Sequence, residues 1–184
     1  MGNPDSEGTL SSELAQAYQE AARTAGHEVR LANVGDLSFD PILHKGYKVI
    51  QELEPDLKSV QENMKWADHF VLIYPVWWSA MPALLKGMFD RIWIPGFAFH
   101  FWKNNMGWDQ MLKGKSARII TLSKMPPLFI RVVFGDFTNE IANATLGMSG
   151  FKVKLTQLGN SESSNEHMRA QYKKKVAALA RKAA

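Results

Sequence analysis

The chain has no cysteine among its 184 residues. That excludes disulfides, thiolate metal sites and cysteine nucleophiles. No apolar run approaches the ~18 residues that a membrane span needs, so no membrane insertion is expected. Residues 1–8 are polar or small and carry no secretory h-region, which points to a cytoplasmic protein. The five histidines, His27, His44, His69, His100 and His167, show no metal-ligand spacing such as HxxxH, so no metal is expected. Gly107, Gly114 and Gly147 form no phosphate-binding pattern. Repeats, low-complexity tracts and a dividing linker are also missing. The expectation is one domain over 1–184, of a size that buries a core unaided.

Charge of one sign is concentrated rather than spread. The formal net charge is +4. From Asn165 onward there are six basic residues (Arg169, Lys173, Lys174, Lys175, Arg181, Lys182) and one acid, Glu166. The rest of the chain is close to neutral. A nucleic-acid surface should cover a face of the fold and interleave aromatics; one basic terminal helix reads as a solvated face, so no nucleic-acid partner is expected.

What is present is a repeated switch of apolar period. Leu10, Leu14, Ala17, Tyr18, Ala21 and Ala22 make a helical stripe over 10–25, closed by Gly26. Residues 27–34 alternate, with Val29 and Leu31 on one side, and predict a strand. Asp36–Tyr47 reads as a loop. A helix is predicted over 56–66 with Pro55 in its first turn, and another over 82–92, also opened by proline. The short apolar runs at 69–74 and 117–122 predict strands buried on both faces. Residues 137–146 predict a helix, 152–158 a strand, and 165 to the end a last helix. Residues 94–115 have no clear period but many aromatics. Strands alternating with helices imply a three-layer, doubly wound parallel α/β sheet. Such folds open on a buried strand, whereas this sequence starts at the loop that would follow it. The expectation is a sheet whose first strand is missing here and encoded upstream, since a missing central strand leaves two unpaired edges.

Two segments carry candidate chemistry. The first runs from Gly2 to Ser12, where small and hydroxyl residues precede a helix. Free backbone N–H groups and the helix dipole make that an anion site; a plain N-cap with a polar tail is the alternative. The second is Tyr74-Pro-Val-Trp-Trp-Ser-Ala-Met-Pro82, leaving the C-terminal end of a buried strand, where open α/β sheets bind ligands. Adjacent tryptophans at a loop tip offer a wall for a planar ring; they would equally fill a core or a subunit interface. Asp90 and Arg91 read as a structural ion pair.

The segment Tyr74–Gly87, with Phe89-Asp90-Arg91 and Pro95-Gly-Phe-Ala-Phe99 after it, resembles the NAD(P)H:quinone oxidoreductase family of flavodoxin-like flavoenzymes. Asn3-Pro4-Asp5, Gly26-His-Glu-Val29 and Asp40-Pro-Ile-Leu43 agree, so the likeness covers nearly the whole chain. It implies a five-stranded parallel sheet in flavodoxin order, a bound flavin (FMN, with FAD the alternative) and a homodimer with sites at its interface. Carried over by position, Thr9, Leu10 and Ser11 fall in the phosphate loop, and Asn3 stands where many members have histidine. Pro75, Val76, Trp77 and Trp78 line the ribityl chain and ring edge. Thr121, Leu122 and Ser123 supply a third ring-side loop. Two further departures are a phosphate loop one residue longer and Ser123-Lys-Met-Pro-Pro-Leu-Phe129 in place of a glycine pair and a tyrosine. His100, with Phe99 and Phe129, is the candidate substrate pocket; no catalytic residue is assigned.

The implied activity is ping-pong: NAD(P)H delivers hydride to the flavin N5 and leaves, and a quinone-like acceptor takes its place. The protein orients and polarises while the cofactor carries the chemistry. The alternative is non-enzymatic, a flavodoxin-like electron carrier or a regulatory subunit of a transporter. Carriers are typically acidic, and the body of this chain is near neutral. The aromatic stretch from Trp93 to Trp108 is expected near the dimer interface.

Overall fold

A computed structural model describes residues 1–104 and 106–183. Three parallel strands, β1 (His69–Pro75), β4 (Ser116–Leu122) and β5 (Lys152–Leu158), form one sheet in the order β1-β4-β5. The pairing is in step throughout, from His69 opposite Ser116 to Pro75 opposite Leu122. A separate antiparallel hairpin joins β2 (Phe99–Phe101) to β3 (Trp108–Gln110).

Helices cover both faces. The strands bury alternate side chains into two cores, as a period of two requires. Leu72 and Ile119 point into one core with Leu57, Val60, Leu85 and Phe89. Ile73 and Ile120 point into the other, with Leu14, Tyr18, Leu158 and Val176. The first core is roofed by α2 (Pro55–Trp66), α3 (Ala83–Ile92) and a π-helical segment over Glu140–Gly147. The second is roofed by α1 (Leu10–Thr24) and α5 (Glu166–Ala180). Each fully buried Ile or Leu contributes roughly 1.5–3 kcal/mol.

Local signals set the boundaries. Thr9 and Ser12 form a reciprocal capping box at the start of α1, a pairing that satisfies two amides left over at the helix start. Pro55 opens α2. The basic α5 is tied to α1 through Glu13, which meets Arg169 at 3.0 Å and Lys173 at 2.7 Å.

Several expectations are corrected. Residues 27–34 form no strand, and the described residues make a sheet of three parallel strands rather than the five implied by resemblance. The segment has too few ladder partners: its sheet-like bonds come from Met1, whose amine donates to Ala32 O at 2.5 Å and whose carbonyl accepts from Val34 N–H at 2.9 Å. An additional helix, α4 (Pro127–Phe134), follows β4. Asp90 and Arg91 do not pair. Asp90 meets Lys86 at 2.6 Å, whereas the buried Arg91 binds Glu54 and the carbonyls of Asp40 and Glu52. Trp93 and Phe97 belong to the core. Among the described residues, no helix is long and apolar enough to cross a membrane.

Candidate functional site

Three loops meet at the C-terminal edge of the sheet. Gly2 N–H donates to Ile73 O at 2.7 Å, so residues 2–9 start beside the end of β1. A Cβ on Gly2 would lie 3.0 Å from Tyr74 Cβ and 2.5 Å from a Leu85 methyl, so glycine is required for that approach. Val76 N–H donates to Leu122 O at 2.7 Å, joining the loop after β1 to the loop after β4. Ser123 N–H in turn donates to Leu158 O at 2.9 Å.

The first loop ends at the N-terminus of α1. The capping box engages the amides of Thr9 and Ser12. The amides of Leu10 and Ser11 precede any intrahelical acceptor, and the helix dipole favours an anion there. Gly8, at φ +64°, turns the chain into this position. Thr9 stands at the mouth. Leu10 and Ser11 are buried, so their contribution is through main-chain N–H. The Ser11 hydroxyl faces inward, 3.5 Å from Asn3 Nδ2, and Asn3 is buried too.

The second loop holds its two tryptophans outward. Trp77 and Ala80 exchange N–H···O bonds of 2.9 and 3.0 Å around a tight turn. Trp78 and Ser79 sit in it at φ +50° and +58°. A non-glycine residue in that region costs roughly 1–3 kcal/mol, a strain that clusters at ligand sites. Trp78 is fully solvent-exposed and Trp77 is half exposed. Pro75 and Val76 beneath them are half-buried.

In the third loop Thr121, Leu122 and Ser123 are all buried. Ser123 Oγ donates to Met125 O at 2.8 Å. Thr121 Oγ1 is buried without a hydrogen-bond partner among the described residues. An unmatched buried hydroxyl costs about 1–3 kcal/mol, so it marks a place that a ligand atom can complete.

The substrate-pocket candidates are not gathered together. Phe99 lines a cavity of about 410 Å³ with Met81, Lys86, Trp93, Phe101 and Glu140. Its ring lies 5.0 Å from Phe101 on the same face of the hairpin. His100 projects from the opposite face and is exposed; Phe129 lies on α4, half exposed. Tyr74 opens the candidate segment after β1. Its phenol is buried without a partner among the described residues, and burial pushes its pKa well up, helped by the charges of Glu140 and Asp136. No group of three or more His, Asp or Glu among the described residues forms a metal site.

The sequence profile of the Flavodoxin_2 family, described as a flavodoxin-like fold, matches residues 1–181. The chain belongs to that family. The crystal structure of Smu.1420 from Streptococcus mutans UA159 superposes with TM-score 0.82 at 30% identity, covering 97% of this chain and 95% of its own. An FMN-dependent NADH-azoreductase from Bacillus anthracis, solved in complex with FMN, matches in fold at TM-score 0.73 and 17% identity over 98% and 95% of the two chains. Ribosyldihydronicotinamide dehydrogenase [quinone] of Mus musculus is 31% identical over 145 residues, 73% of this chain and 60% of the relative. The chain spans between half and two-thirds of the length of the first curated relatives it matches. The flavodoxin-like α/β expectation is therefore borne out.

Proposed function

We propose that this chain is a flavin-dependent oxidoreductase that takes electrons from NAD(P)H and passes them to a quinone-like acceptor. The observation that carries the reading is the meeting of an anion-binding helix start, an outward tryptophan pair and an orphaned hydroxyl at one edge of the sheet. A phosphate, a planar ring and a polar ring substituent need those three features in turn. The names of the quinone dehydrogenase relatives and the FMN complex of the azoreductase support the choice of chemistry.

In this reading the amides of Leu10 and Ser11 and the Thr9 hydroxyl hold the phosphate. Asn3 braces the loop from beneath through Ser11. Pro75 and Val76 bound the linker between phosphate and ring, and Trp77 and Trp78 wall the ring. Thr121 offers its hydroxyl, and Leu122 and Ser123 fix the loop that carries it. A flavin bound there supplies hydride acceptance and two-electron delivery to a second ligand. FMN is the flavin proposed, with FAD the alternative, and the FMN complex of the azoreductase supports that choice. The acceptor is placed against Phe99 and Met81, whose cavity has apolar walls and the Lys86–Asp90–Glu140 cluster at its rim. The working form is a homodimer, and the cytoplasm is where NAD(P)H is supplied.

An absorption titration with FMN tests the reading. Tight binding, bleaching by NADH or NADPH and recovery with a quinone are expected. A carrier or regulatory subunit would bind flavin without turnover.

A further inference from the structure

The cavity of about 410 Å³ beside Phe99 combines two features, an aromatic wall and an unbalanced charge. Five of its lining residues are aromatic: Tyr47, Phe89, Trp93, Phe99 and Phe101. On α3, Lys86, Phe89, Asp90 and Trp93 follow the i, i+3, i+4, i+7 spacing that brings residues to one helix face. On β2, Phe99 and Phe101 share a face because strand side chains alternate. Phe89 and Trp93 are buried while Tyr47 and Phe101 are exposed, so the cavity runs from the core to solvent. The Trp93 indole N–H is already given to Thr145 O at 3.2 Å.

The charge lies at the rim. Lys86 Nζ stands 2.6 Å from Asp90 Oδ1 and 3.5 Å from Glu140 Oε1, and all three side chains are part-exposed. Among the described residues, Lys86 is the one basic side chain lining the cavity. Two carboxylates against one ammonium leave one negative charge uncompensated. The second oxygen of each carboxylate, Oδ2 of Asp90 and Oε2 of Glu140, has no hydrogen-bond donor among the described residues. Tyr47 feels the excess: partial burial raises its pKa, the Asp90 charge adds to that, and Lys86 opposes it. Glu140 is delivered to the rim by the π-helical segment it opens, a rare geometry that is frequent at functional sites.

We propose that this cavity selects an acceptor whose planar ring carries a positively charged substituent, a quaternary or protonated amine. The proposal rests on the reading of the cavity as the acceptor site. The ring lies among the aromatic side chains, and the cation sits at the rim against Asp90 and Glu140. Aromatic faces and carboxylates both attract a cation, whereas an anionic substituent meets the uncompensated charge and is rejected. The substituent takes no part in the electron transfer. NAD(P)H, the quinone and one solvent proton give NAD(P)⁺ and the hydroquinone, and the ammonium group is unchanged. It therefore stabilises the bound ground state and the transition state alike, so the selectivity appears in KM and not in kcat.

The first arm of the test needs no flavin. Phenyltrimethylammonium and tert-butylbenzene have the same shape and differ in charge. Titration followed by NMR at the Trp93 indole N–H should show the cation binding about tenfold tighter. Glu140→Gln should lower that ratio by about threefold or more, and Lys86→Met should raise it by a similar factor. A purely structural effect would move both ligands together. In the second arm the FMN-loaded chain is given 1,4-naphthoquinones bearing a trimethylammonium or a tert-butyl group on the same propyl linker. The cationic quinone should have the lower KM, with kcat within about twofold. Equal affinity for the two isosteres, or a ratio that neither variant moves, would overturn the proposal even if both quinones are reduced. A binding preference with neither quinone reduced would overturn the oxidoreductase reading instead, while the binding ratio would still assign the cation to the cavity.

Discussion

Gly2 N–H and Ile73 O, 2.7 Å apart, join the candidate cofactor loop to the sheet. Above it, residues 3–9 lead to the anion-binding start of α1. Below it, the edge of β1 is open. The loop is therefore held at α1 by the capping box and at its other end by one rung.

The hydroxyl of Thr9 should matter more to flavin affinity than that of Ser11, which is turned toward Asn3. Thr9→Gly keeps most of the helix start, since glycine is nearly as good an N-cap. It should weaken FMN binding by about tenfold or more, the loss of one hydrogen bond to a charged group. Ser11→Ala should change it less. Isothermal titration of both variants checks the order, and equal losses would argue against the orientation seen here.

Gly35 backs the same loop. A Cβ there would lie 1.8 Å from Pro4 O, so Gly35→Ala must displace Pro4 or its own turn. A stability loss of about 1–3 kcal/mol is expected for such overpacking, with a matching fall in flavin affinity. Denaturant midpoints and FMN titration together read both effects. An unchanged midpoint would show that the loop yields freely.

Breaking the Arg91 and Asp90 ion pairs should cost very different amounts. Glu54→Ala leaves the Arg91 guanidinium buried with backbone carbonyls alone, and about 3 kcal/mol should be lost. Asp90→Asn removes a half-exposed partner of Lys86 and should cost under about 1 kcal/mol. Urea melts of the two variants decide it.

Stability should rise with pH across the neutral range. Burial pushes the Met1 amine down from 8.0 to about 6, against the opposing charge of Asp36. Burial, with Arg118, Lys154 and His27 adding to it, pushes His69 from 6.5 to about 4. Both groups are thus neutral when folded while the unfolded chain binds protons at higher pH. Their contribution is complete above about pH 8. It is lost first between 8.0 and about 6, as the amine charges, and then between 6.5 and about 4, as His69 does. Melting at pH 8 and pH 5.5 should show the drop, and His69→Asn should flatten its lower part.

Association should run through the exposed apolar surface. Leu128, Val132 and Phe134 on α4 are 74%, 78% and 63% exposed, and Met106 in the aromatic stretch is 82% exposed. Exposed large apolar side chains are where a partner surface gains most on burial. Sedimentation should show a dimer at micromolar concentration, and Val132→Lys with Phe134→Lys should shift it to monomer. A monomeric parent would contradict the homodimer.

Much of this was legible in the residues. The apolar runs at 69–74 and 117–122, the Pro55 helix start and the stripe ending before Gly26 all lie where their periods put them, because each buries a complete face. Residues 27–34 have the alternation of a strand but not the structure, since a strand exists only with a partner on its edge. The helix Pro127–Phe134 was hidden because its apolar residues do not face one core. Arg91 looked like a partner for its neighbour, but successive residues on a helix point apart, and its guanidinium reaches Glu54 instead. At the site, Thr9, Trp77, Trp78 and Thr121 could be named as candidates from residue type, position and resemblance. That the hydroxyls of Tyr74 and Thr121 are buried without partners could not be read there, because a missing partner is a property of the packing.

The most direct test of the account is an anaerobic absorption titration of the purified chain. FMN should bind with a shifted visible band, bleach on adding NADH or NADPH, and regain its colour when a quinone is added. Failure to bind FMN, or a bound flavin that neither nicotinamide reduces, would contradict the proposed function.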